Sequence, residues 1–363
     1  MKNTLIMLLY LFLISINTHA GEKQPSSNHF FEIGDVIISP GETYRGDLKV
    51  SNGIDAIESF IPITVHHGAN PGPVLSLIAG IHGSEYSPIL AMQEFAELIN
   101  PSQLNGTVII VHIANVPAFT ARTIYIGPND LKNLNRSFPG KVNGTITERI
   151  AYILKHEVIM RSDYLVDIHS GDGNESLRPS YSAYYKEAGG EEVVQESKRI
   201  AVAFGLETIV QFPGSYDSIN DAIYTSAQAV TLGIPSIDIE SGELGHTDDR
   251  FISPIVDGAF NIMRELDMIT GKLKISTTPL MINDRSRVYS KHDGIFYADP
   301  KVQTGDYISA GTPLGVITDY HGNELETILA PSSGVLLILF GTPPVNKGDN
   351  IVVIGRIPDA KNN

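Results

Sequence analysis

Four apolar runs in the middle of the chain predict buried strands. Val74 to Ala79 (VLSLIA) and Thr107 to Ala114 (TVIIVHIA) are nearly continuous hydrophobic segments of strand length. Two further runs, Tyr164 to His169 and Ile234 to Glu240, end in polar residues. Because strands that are apolar throughout are covered on both faces, these runs predict a sheet with helices packed over it.

Segments with helical periodicity alternate with these runs. After Ser87-Pro88, which we interpret as a cap residue and a proline at the first helical position, apolar residues recur every three or four positions. They are Ile89, Met92, Ala96 and Ile99. Thr145 to Glu148 (TITE) is a capping box that opens another helix. Glu191 to Phe204 and Phe251 to Met268 are also predicted helices, so the pattern indicates an α/β fold with helices on both faces of the sheet.

The two flanks of this region predict short β-strands. Residues Phe30 to Val65 alternate in polarity between turn residues, which favours antiparallel strands. Ser286 to Ile357 consists of short strand-like runs separated by glycines and predicts a small all-β domain. Its run from Asn323 to Val335 looks like part of a biotinyl or lipoyl carrier barrel. The preceding hairpin, Asp319 to Asn323, has no lysine to modify, so we expect a barrel-sandwich-like shape without the carrier function.

The first twenty residues have the three parts of a secretory signal. A positive start at Lys2 is followed by an apolar stretch from Leu5 to Ile16 and by small residues up to Ala20. The stretch is too short to span a bilayer comfortably, so we expect cleavage after Ala20 and a periplasmic or secreted protein. An uncleaved membrane anchor is the alternative. The predicted organisation is a signal peptide (1–20), an α/β domain (21–274) and a β domain (275–363).

Composition and charge narrow the classes of partner. The chain has 363 residues, of which 42% are hydrophobic and 18% charged, as in ordinary globular proteins. Its formal net charge of -15 argues against nucleic acid and anionic membrane as partners, because both require basic patches. The absence of cysteine excludes a thiol nucleophile, thiolate ligands and disulfides. A metal ion would therefore have to be bound by histidine and carboxylate side chains.

Two strand ends offer such a set of ligands. His82 and Glu85 follow the run that ends at Ala79, and His169 closes the run that begins at Tyr164. Two imidazoles and one carboxylate are typical of a catalytic zinc site with an open fourth position. Asp167 lies two residues before His169 and on the same face of the strand, so it either orients the histidine or is a buried structural residue.

Further polar residues predict the rest of a hydrolytic site. Glu240 ends an apolar strand, where a carboxylate is costly unless it is used, and we interpret it as the general base, with Glu243 as its rival. Asn135 and Arg136 lie in a polar loop and suit the binding of a substrate carboxylate. Arg122 is a candidate for polarising the scissile carbonyl and stabilising the oxyanion.

Four motifs in the same order resemble the succinylglutamate desuccinylase/aspartoacylase family, which is related to the zinc carboxypeptidases. They are GIHGSEY (80–86), NLNRSFPG (133–140), VDIHSG (166–171) and IDIESGELG (237–245). The resemblance covers about residues 35 to 357. It implies a zinc carboxypeptidase-like mixed sheet and a C-terminal β domain. It also implies one zinc ion per subunit, and each site residue of the family has a matching position in this sequence.

In this resemblance, His82, Glu85 and His169 match the zinc ligands. Asn135 and Arg136 match the pair that holds the substrate carboxylate, and Glu240 matches the catalytic glutamate. Arg122 is the nearest match to the arginine that assists at the carbonyl. The named enzymes of the family are usually cytoplasmic, whereas this chain has an export signal.

We therefore expect a zinc-dependent amidohydrolase that deacylates an N-acyl amino acid or a related small substrate with a carboxylate. The first alternative is a zinc carboxypeptidase acting on short peptides, for example from the cell wall. The second is a zinc-binding protein without catalysis. After signal cleavage we expect no stable membrane insertion, and an oligomer is possible. The adjacent His66 and His67 point to opposite faces of a strand, so they do not form a metal pair.

Overall fold

The computed structural model describes residues 30–275 and 278–357. The predicted signal peptide and its cleavage position lie outside these residues. In the described part of the chain, no helix combines the length and the apolar character that a membrane span requires.

Strands and helices alternate through the first two thirds of the described chain. The helices are α1 (Tyr86–Leu98), α2 (Val116–Ala121), α3 (Ile146–Ile153), α4 (Glu191–Phe204), α5 (Thr225–Thr231) and α6 (Asp249–Glu265). The strands up to α6 are β1 (Phe31–Ile33), β2 (Val36–Ile38), β3 (Glu42–Val50), β4 (Ser59–His67), β5 (Asn70–Ala79), β6 (Asn105–Val111), β7 (Tyr164–His169), β8 (Glu175–Leu177), β9 (Tyr181–Tyr185), β10 (Thr208–Phe212) and β11 (Ser236–Glu240).

The residues after α6 form short strands. They are β12 (Leu280–Ile282), β13 (Arg285–Tyr289), β14 (Gly294–Ala298), β15 (Tyr307–Ile308), β16 (Pro313–Thr318), β17 (Glu324–Leu329), β18 (Gly334–Phe340), β19 (Pro344–Val345) and β20 (Asn350–Arg356). They confirm the predicted all-β region.

A nine-stranded mixed sheet forms the centre of the α/β part. Its strand order is β12-β10-β9-β11-β7-β5-β6-β4-β3. The strands β5, β7 and β11 are parallel neighbours in the middle, so their carboxyl ends share one edge. Helices α1, α4 and α6 cover one face through a core that includes Phe95 and Phe204, and α3 covers the other through Ile150. The predicted α/β class with helices on both faces is thus confirmed.

Local predictions differ from the structure at several element ends, including the start of β11 at Ser236 and the end of α6 at Glu265. Helix α1 begins at Tyr86 after Glu85, so the prediction of Ser87 as its cap residue is wrong. Pro88 is tolerated because the first backbone N–H groups of a helix have no partner within it. Strand β6 ends at Val111 rather than at Ala114. The capping box is confirmed, since Glu148 Oε2 accepts from the Thr145 backbone N–H at 3.0 Å.

The C-terminal strands form two antiparallel sheets around a separate core. One contains β13, β20, β18 and β15, and the other contains β17, β16, β14 and β19. Two strands connect this region with the α/β part. Strand β12, which follows α6, pairs with β10 of the large sheet, and β8, which precedes β9, pairs with β18 of the small sheet. The domain boundary after residue 274 stays a prediction. The consequence for function is that the small domain lies against the edge where β7 and β11 end.

Candidate active site

The carboxyl ends of β5, β7 and β11 bring the predicted metal ligands together. His169 is the last residue of β7, and His82 and Glu85 lie in the loop after β5. The loop turns sharply at Gly80, where φ is +70° and a Cβ would lie 2.9 Å from the Ile113 Cα, so a side chain is excluded there. Gly80 therefore allows the chain to direct His82 and Glu85 to the same point.

The three side chains converge within hydrogen-bonding distance. Nδ1 of His82 lies 2.9 Å from Oε1 of Glu85, and Nδ1 of His169 lies 3.0 Å from Oε2 of the same carboxylate. One ligand atom from each residue falls within 4.8 Å of the others. Glu85 is 1% exposed and His169 is 4% exposed. A set of this composition, held in a buried place, suits Zn²⁺.

The opposite nitrogen of each imidazole faces an acceptor. Nε2 of His82 lies 3.3 Å from Oδ1 of Asn133, and Nε2 of His169 lies 3.1 Å from Oδ2 of Asp167. A histidine that donates Nε2–H keeps a lone pair on Nδ1, and we assign this tautomer to both. Both Nδ1 lone pairs then face Glu85, which is the arrangement that metal binding requires.

Asp167 is expected to hold His169 in its ligating orientation. Replacing Asp167 by asparagine should weaken zinc binding by about 10- to 100-fold, the usual effect of losing such a partner. Competition with a chromogenic chelator would measure this change. Asp35→Asn, at an exposed turn between β1 and β2, is the matched control. Equal zinc affinity of the Asp167 variant and the control would contradict the orienting role.

Additional carboxylates surround the ligand set. Oδ2 of Asp172 lies 3.3 Å from Nδ1 of His82. Burial raises the pKa of Glu175 to about 8, and the charge of Asp172 adds to this effect. Burial likewise raises the pKa of Asp172, and it raises the pKa of Glu240 well above its usual value. Burial thus disfavours the ionised form of these carboxyl groups, and a divalent cation in the cleft would stabilise it.

Glu240 enters the same cleft and Glu243 does not. Glu240 ends β11 directly beside His169, and its Oε2 is buried without a hydrogen-bond partner among the described residues. Glu243 is engaged elsewhere, with Oε1 2.9 Å from Nε of Arg178 and Oε2 2.7 Å from Oγ of Ser176. The geometry thus leaves Glu240 free for proton transfer and gives Glu243 a structural ion pair.

Asn135 and Arg136 line the cleft on a 3₁₀ turn. Oδ1 of Asn135 accepts from the Thr225 backbone N–H at 3.0 Å, which fixes the amide. The Arg136 guanidinium lies over the Tyr224 ring, 4.4 Å from its centroid. Nη1 of Arg136 donates to the Asn135 backbone oxygen at 2.7 Å, and stacking against the ring leaves the other donors of the guanidinium for a carboxylate. The pair is therefore placed as a substrate-binding role requires.

The structure does not bring Arg122 into this cleft. Arg122 is the C-terminal cap of α2, exposed and in the left-handed conformation with φ +58°. It lines a separate surface depression with Tyr86 and Phe119. The sequence interpretation relied on its position upstream of Asn135, and the structure places it outside the lining of the cleft that contains the ligands.

His66, His67 and His246 lie outside the cleft. Nδ1 of His66 lies 2.8 Å from Oγ1 of Thr43, and Nδ1 of His67 lies 2.9 Å from Oγ1 of Thr107. These partners lie on different neighbouring strands, so the two rings diverge. His246 is half-exposed in the loop after Glu240, with Nδ1 3.7 Å from Asp248.

Several residues of the cleft were not identified from the sequence. The cavity, about 530 Å³, is also lined by Tyr125, Asp172, Glu175, Arg285, Arg287 and several tyrosines. Tyr125 donates to Oδ1 of Asn174 at 2.8 Å, close to Glu175. The run Asp172-Gly173-Asn174-Glu175, directly after the His169 motif, was the available signal for the acidic residues. Arg285 and Arg287 come from the small domain, and no local pattern connects them to the metal ligands.

The chain is similar to known proteins over most of its length. Residues 71–266 match the succinylglutamate desuccinylase/aspartoacylase catalytic domain. The chain is 28% identical over 322 residues to N-alpha-acetyl-L-2,4-diaminobutyric acid deacetylase from Halomonas elongata. The aligned region covers 86% of this chain and 91% of that protein.

Solved structures share the fold over most of the chain. A succinylglutamate desuccinylase from Silicibacter sp. TM1040 is 25% identical with a TM-score of 0.76, over 87% of this chain and 95% of that one. The product-bound ectoine utilization protein EutE (DoeB) from Ruegeria pomeroyi is 23% identical with a TM-score of 0.79, over 91% and 99%. The latter likeness supports the fold alone.

Proposed function

The chain belongs to the succinylglutamate desuccinylase/aspartoacylase family, and on this premise we propose that it is an exported, zinc-dependent hydrolase that deacylates an N-acyl amino acid. The observation that carries the proposal is the convergence of His82, Glu85 and His169 in one cleft with Glu240. The family accounts for deacylase chemistry, and this cleft supplies the groups that such chemistry requires.

The residues present fit one zinc ion per subunit. Nδ1 of His82, Nδ1 of His169 and the Glu85 carboxylate would hold it, and the surplus of carboxylates nearby would favour its charge. When bound, zinc lowers the pKa of a coordinated water to about 7 and polarises a carbonyl oxygen.

Glu240 is the proton carrier in this proposal. Its unpartnered Oε2 accepts a proton from the attacking water and then delivers it to the nitrogen of the leaving amine. The raised pKa that burial gives Glu240 helps it to keep and return that proton. Atoms balance, since water supplies the hydroxyl of the released acid and one hydrogen of the amine.

Asn135 and Arg136 anchor the substrate. The donors of the Arg136 guanidinium that are not bonded to the Asn135 carbonyl bind the α-carboxylate of the amino acid, and the Asn135 side chain borders the same space. A substrate held at one end by this pair places its amide near the metal ligands. The proposal needs no contribution from Arg122.

We also propose that residues 1–20 direct the chain to the periplasm or to secretion. The observation behind this part is the sequence alone, with its positive start and short apolar core. The mass of the protein recovered from the producing cell's periplasm or medium would test it, and a chain retaining Met1 to Ala20 would contradict cleavage.

Metal analysis combined with a hydrolysis assay tests the proposed function. We expect about one zinc ion per chain, and release of free amine from N-acetyl amino acids, including N-α-acetyl-2,4-diaminobutyrate. Chelation should abolish turnover, and added Zn²⁺ should restore it. Preferential release of the C-terminal residue from short peptides would favour the carboxypeptidase instead. Zinc binding without hydrolysis of any amide would indicate a zinc-binding protein without catalysis.

A further inference from the structure

A surface depression of about 680 Å³ lies apart from the cleft. Its volume falls within the range of about 300–1,000 Å³ that is usual for small-molecule sites. Residues of α1, of α2 and of the segment after β6 form its walls, and none of the residues that line it also lines the cleft. Tyr86 is one of them and directly follows Glu85, so the depression borders the segment that carries two of the metal ligands.

The floor of the depression is apolar. The rings of Tyr86 and Phe119 meet edge to face, with 6.0 Å between their centroids. Leu90 is 37% exposed in the same lining, to which Ile89 and Ile113 also belong. Apolar side chains that are grouped on a concave surface, unlike single exposed ones, indicate a binding site. A ligand for this place therefore needs an apolar body.

Arg122 is the one charged residue among the described residues that line the depression. Its exposed guanidinium makes no ion pair or hydrogen bond within the described part of the chain. Asp248, which follows the lining residue Thr247, faces His246 and Arg250 instead, each at 3.7 Å. A single positive charge at an apolar surface, in a chain with a formal net charge of -15, favours an anionic ligand.

The backbone fixes Arg122 at the end of α2. Its N–H donates to the carbonyl oxygens of Ala118 and Phe119, and its φ is +58°. Glycine or asparagine usually occupies this left-handed position, because other side chains are strained there. An arginine in a strained conformation beside an apolar surface indicates a use for its side chain.

The polar lining favours a ligand with one charge. Besides Arg122, the depression is bordered by Gln93, Thr120 and Thr247, which are uncharged. An ammonium group or a second carboxylate would lose part of its hydration here without gaining a charged partner. Amino acids and dianions are therefore disfavoured, whereas a single carboxylate on an alkyl chain matches both the guanidinium and the apolar floor.

We propose that this depression is a second ligand site, which binds a free medium-chain fatty acid with its carboxylate on Arg122 and its alkyl chain over Leu90 and Phe119. A guanidinium binds a carboxylate through two parallel N–H donors. The alkyl chain removes water from the exposed apolar side chains of the floor. The inference is independent of the proposed function, because it concerns binding outside the cleft.

Calorimetric titration of the zinc-loaded protein with octanoate, hexanoate and 1-octanol tests the inference. We expect octanoate to bind about 15-fold more tightly than hexanoate, since each buried methylene group strengthens binding about fourfold. In Arg122→Asn the affinity for octanoate should fall by about 10- to 100-fold, the usual effect of losing a charged hydrogen bond, and that for 1-octanol should not change. Asparagine suits the left-handed conformation, so this variant should fold.

Two further arginine variants serve as controls. Arg122→Lys keeps the charge and should retain most of the affinity for octanoate. Arg356→Asn removes a positive charge from β20, where Arg356 binds Asp284 at 2.6 Å, and should leave octanoate binding unchanged. Equal affinity of the wild type and Arg122→Asn for octanoate, or no saturable binding by the wild type, would overturn the inference.

The cleft is the competing site for a carboxylate, and Arg136→Gln distinguishes the two places. If Arg136→Gln abolishes octanoate binding and Arg122→Asn does not, the fatty acid binds in the cleft and the inference is wrong. Leu90→Gln should reduce the preference for octanoate over hexanoate, because Leu90 belongs to the apolar floor. Sedimentation analysis tests the other occupant: self-association of the wild type that Leu90→Gln abolishes would assign the depression to a second copy of the chain instead.

Discussion

Replacing Glu240 by glutamine is expected to leave zinc bound and to reduce kcat by about 10²- to 10⁴-fold. A decrease in kcat of this size is expected when a general acid–base catalyst is lost. Glutamine has nearly the same shape as glutamate but cannot accept and return a proton. Because Glu240 is not one of the three convergent ligands, metal content should not fall with activity. Measuring the zinc content and kcat of the same preparation tests whether catalysis is lost while metal binding is kept.

Glu243→Gln is the matched control for this experiment. The same chemical change three residues later breaks the contacts to Arg178 and Ser176 and removes nothing from the cleft. We expect a lower melting temperature with near-normal turnover per folded molecule. Near-normal turnover of the Glu240 variant, or loss of turnover in the folded Glu243 variant only, would transfer the catalytic role to Glu243.

Replacing His169 by alanine should remove zinc and activity together. His169 supplies Nδ1 at the centre of the cluster, facing both oxygens of Glu85 at 3.0–3.2 Å. Two remaining ligands bind zinc weakly, and the loss of metal catalysis, worth several kcal/mol, corresponds to a decrease in kcat on the order of 10³-fold or more. Zinc content after gel filtration and residual turnover are the two measurements.

His246→Ala provides the comparison for the His169 variant. His246 is a half-exposed loop histidine beyond the end of β11, and its removal should change neither zinc content nor turnover. Full activity of a zinc-free His169 variant would show that the reaction does not depend on this ion. Retention of stoichiometric zinc would mean that His169 is not a ligand.

The ligand set could be predicted because strand ends are visible in the sequence. Glu240 and His169 close apolar runs, and parallel neighbours place such ends at one edge of a sheet. The small glycine-rich loop after β5 then marked His82 and Glu85. Each of these inferences used only local pattern and one rule of sheet topology.

Other parts of the site depended on contacts that no local pattern reveals. The alternation of Arg285 and Arg287 indicates a strand face but not which cavity that face borders. Arg122 was selected as the nearest match to the upstream arginine that the family resemblance implies, whereas in the structure it caps α2 outside the cleft. Ser87 is a good cap by residue type, but Glu85 must reach the histidines and takes the cap position instead, with its side chain turned to them.

The exchange of strands between the two sheets has a consequence for folding. Leu177 pairs with Ile338, so β8 cannot find its neighbour until almost all of the described chain has been synthesised. Contacts between residues so far apart in sequence form slowly. The ligand set needs only residues up to 169, whereas the wall opposite it needs β13 and β20. During biosynthesis a nascent chain therefore contains the residues of the ligand set well before it contains the strands that form the opposite wall of the cleft.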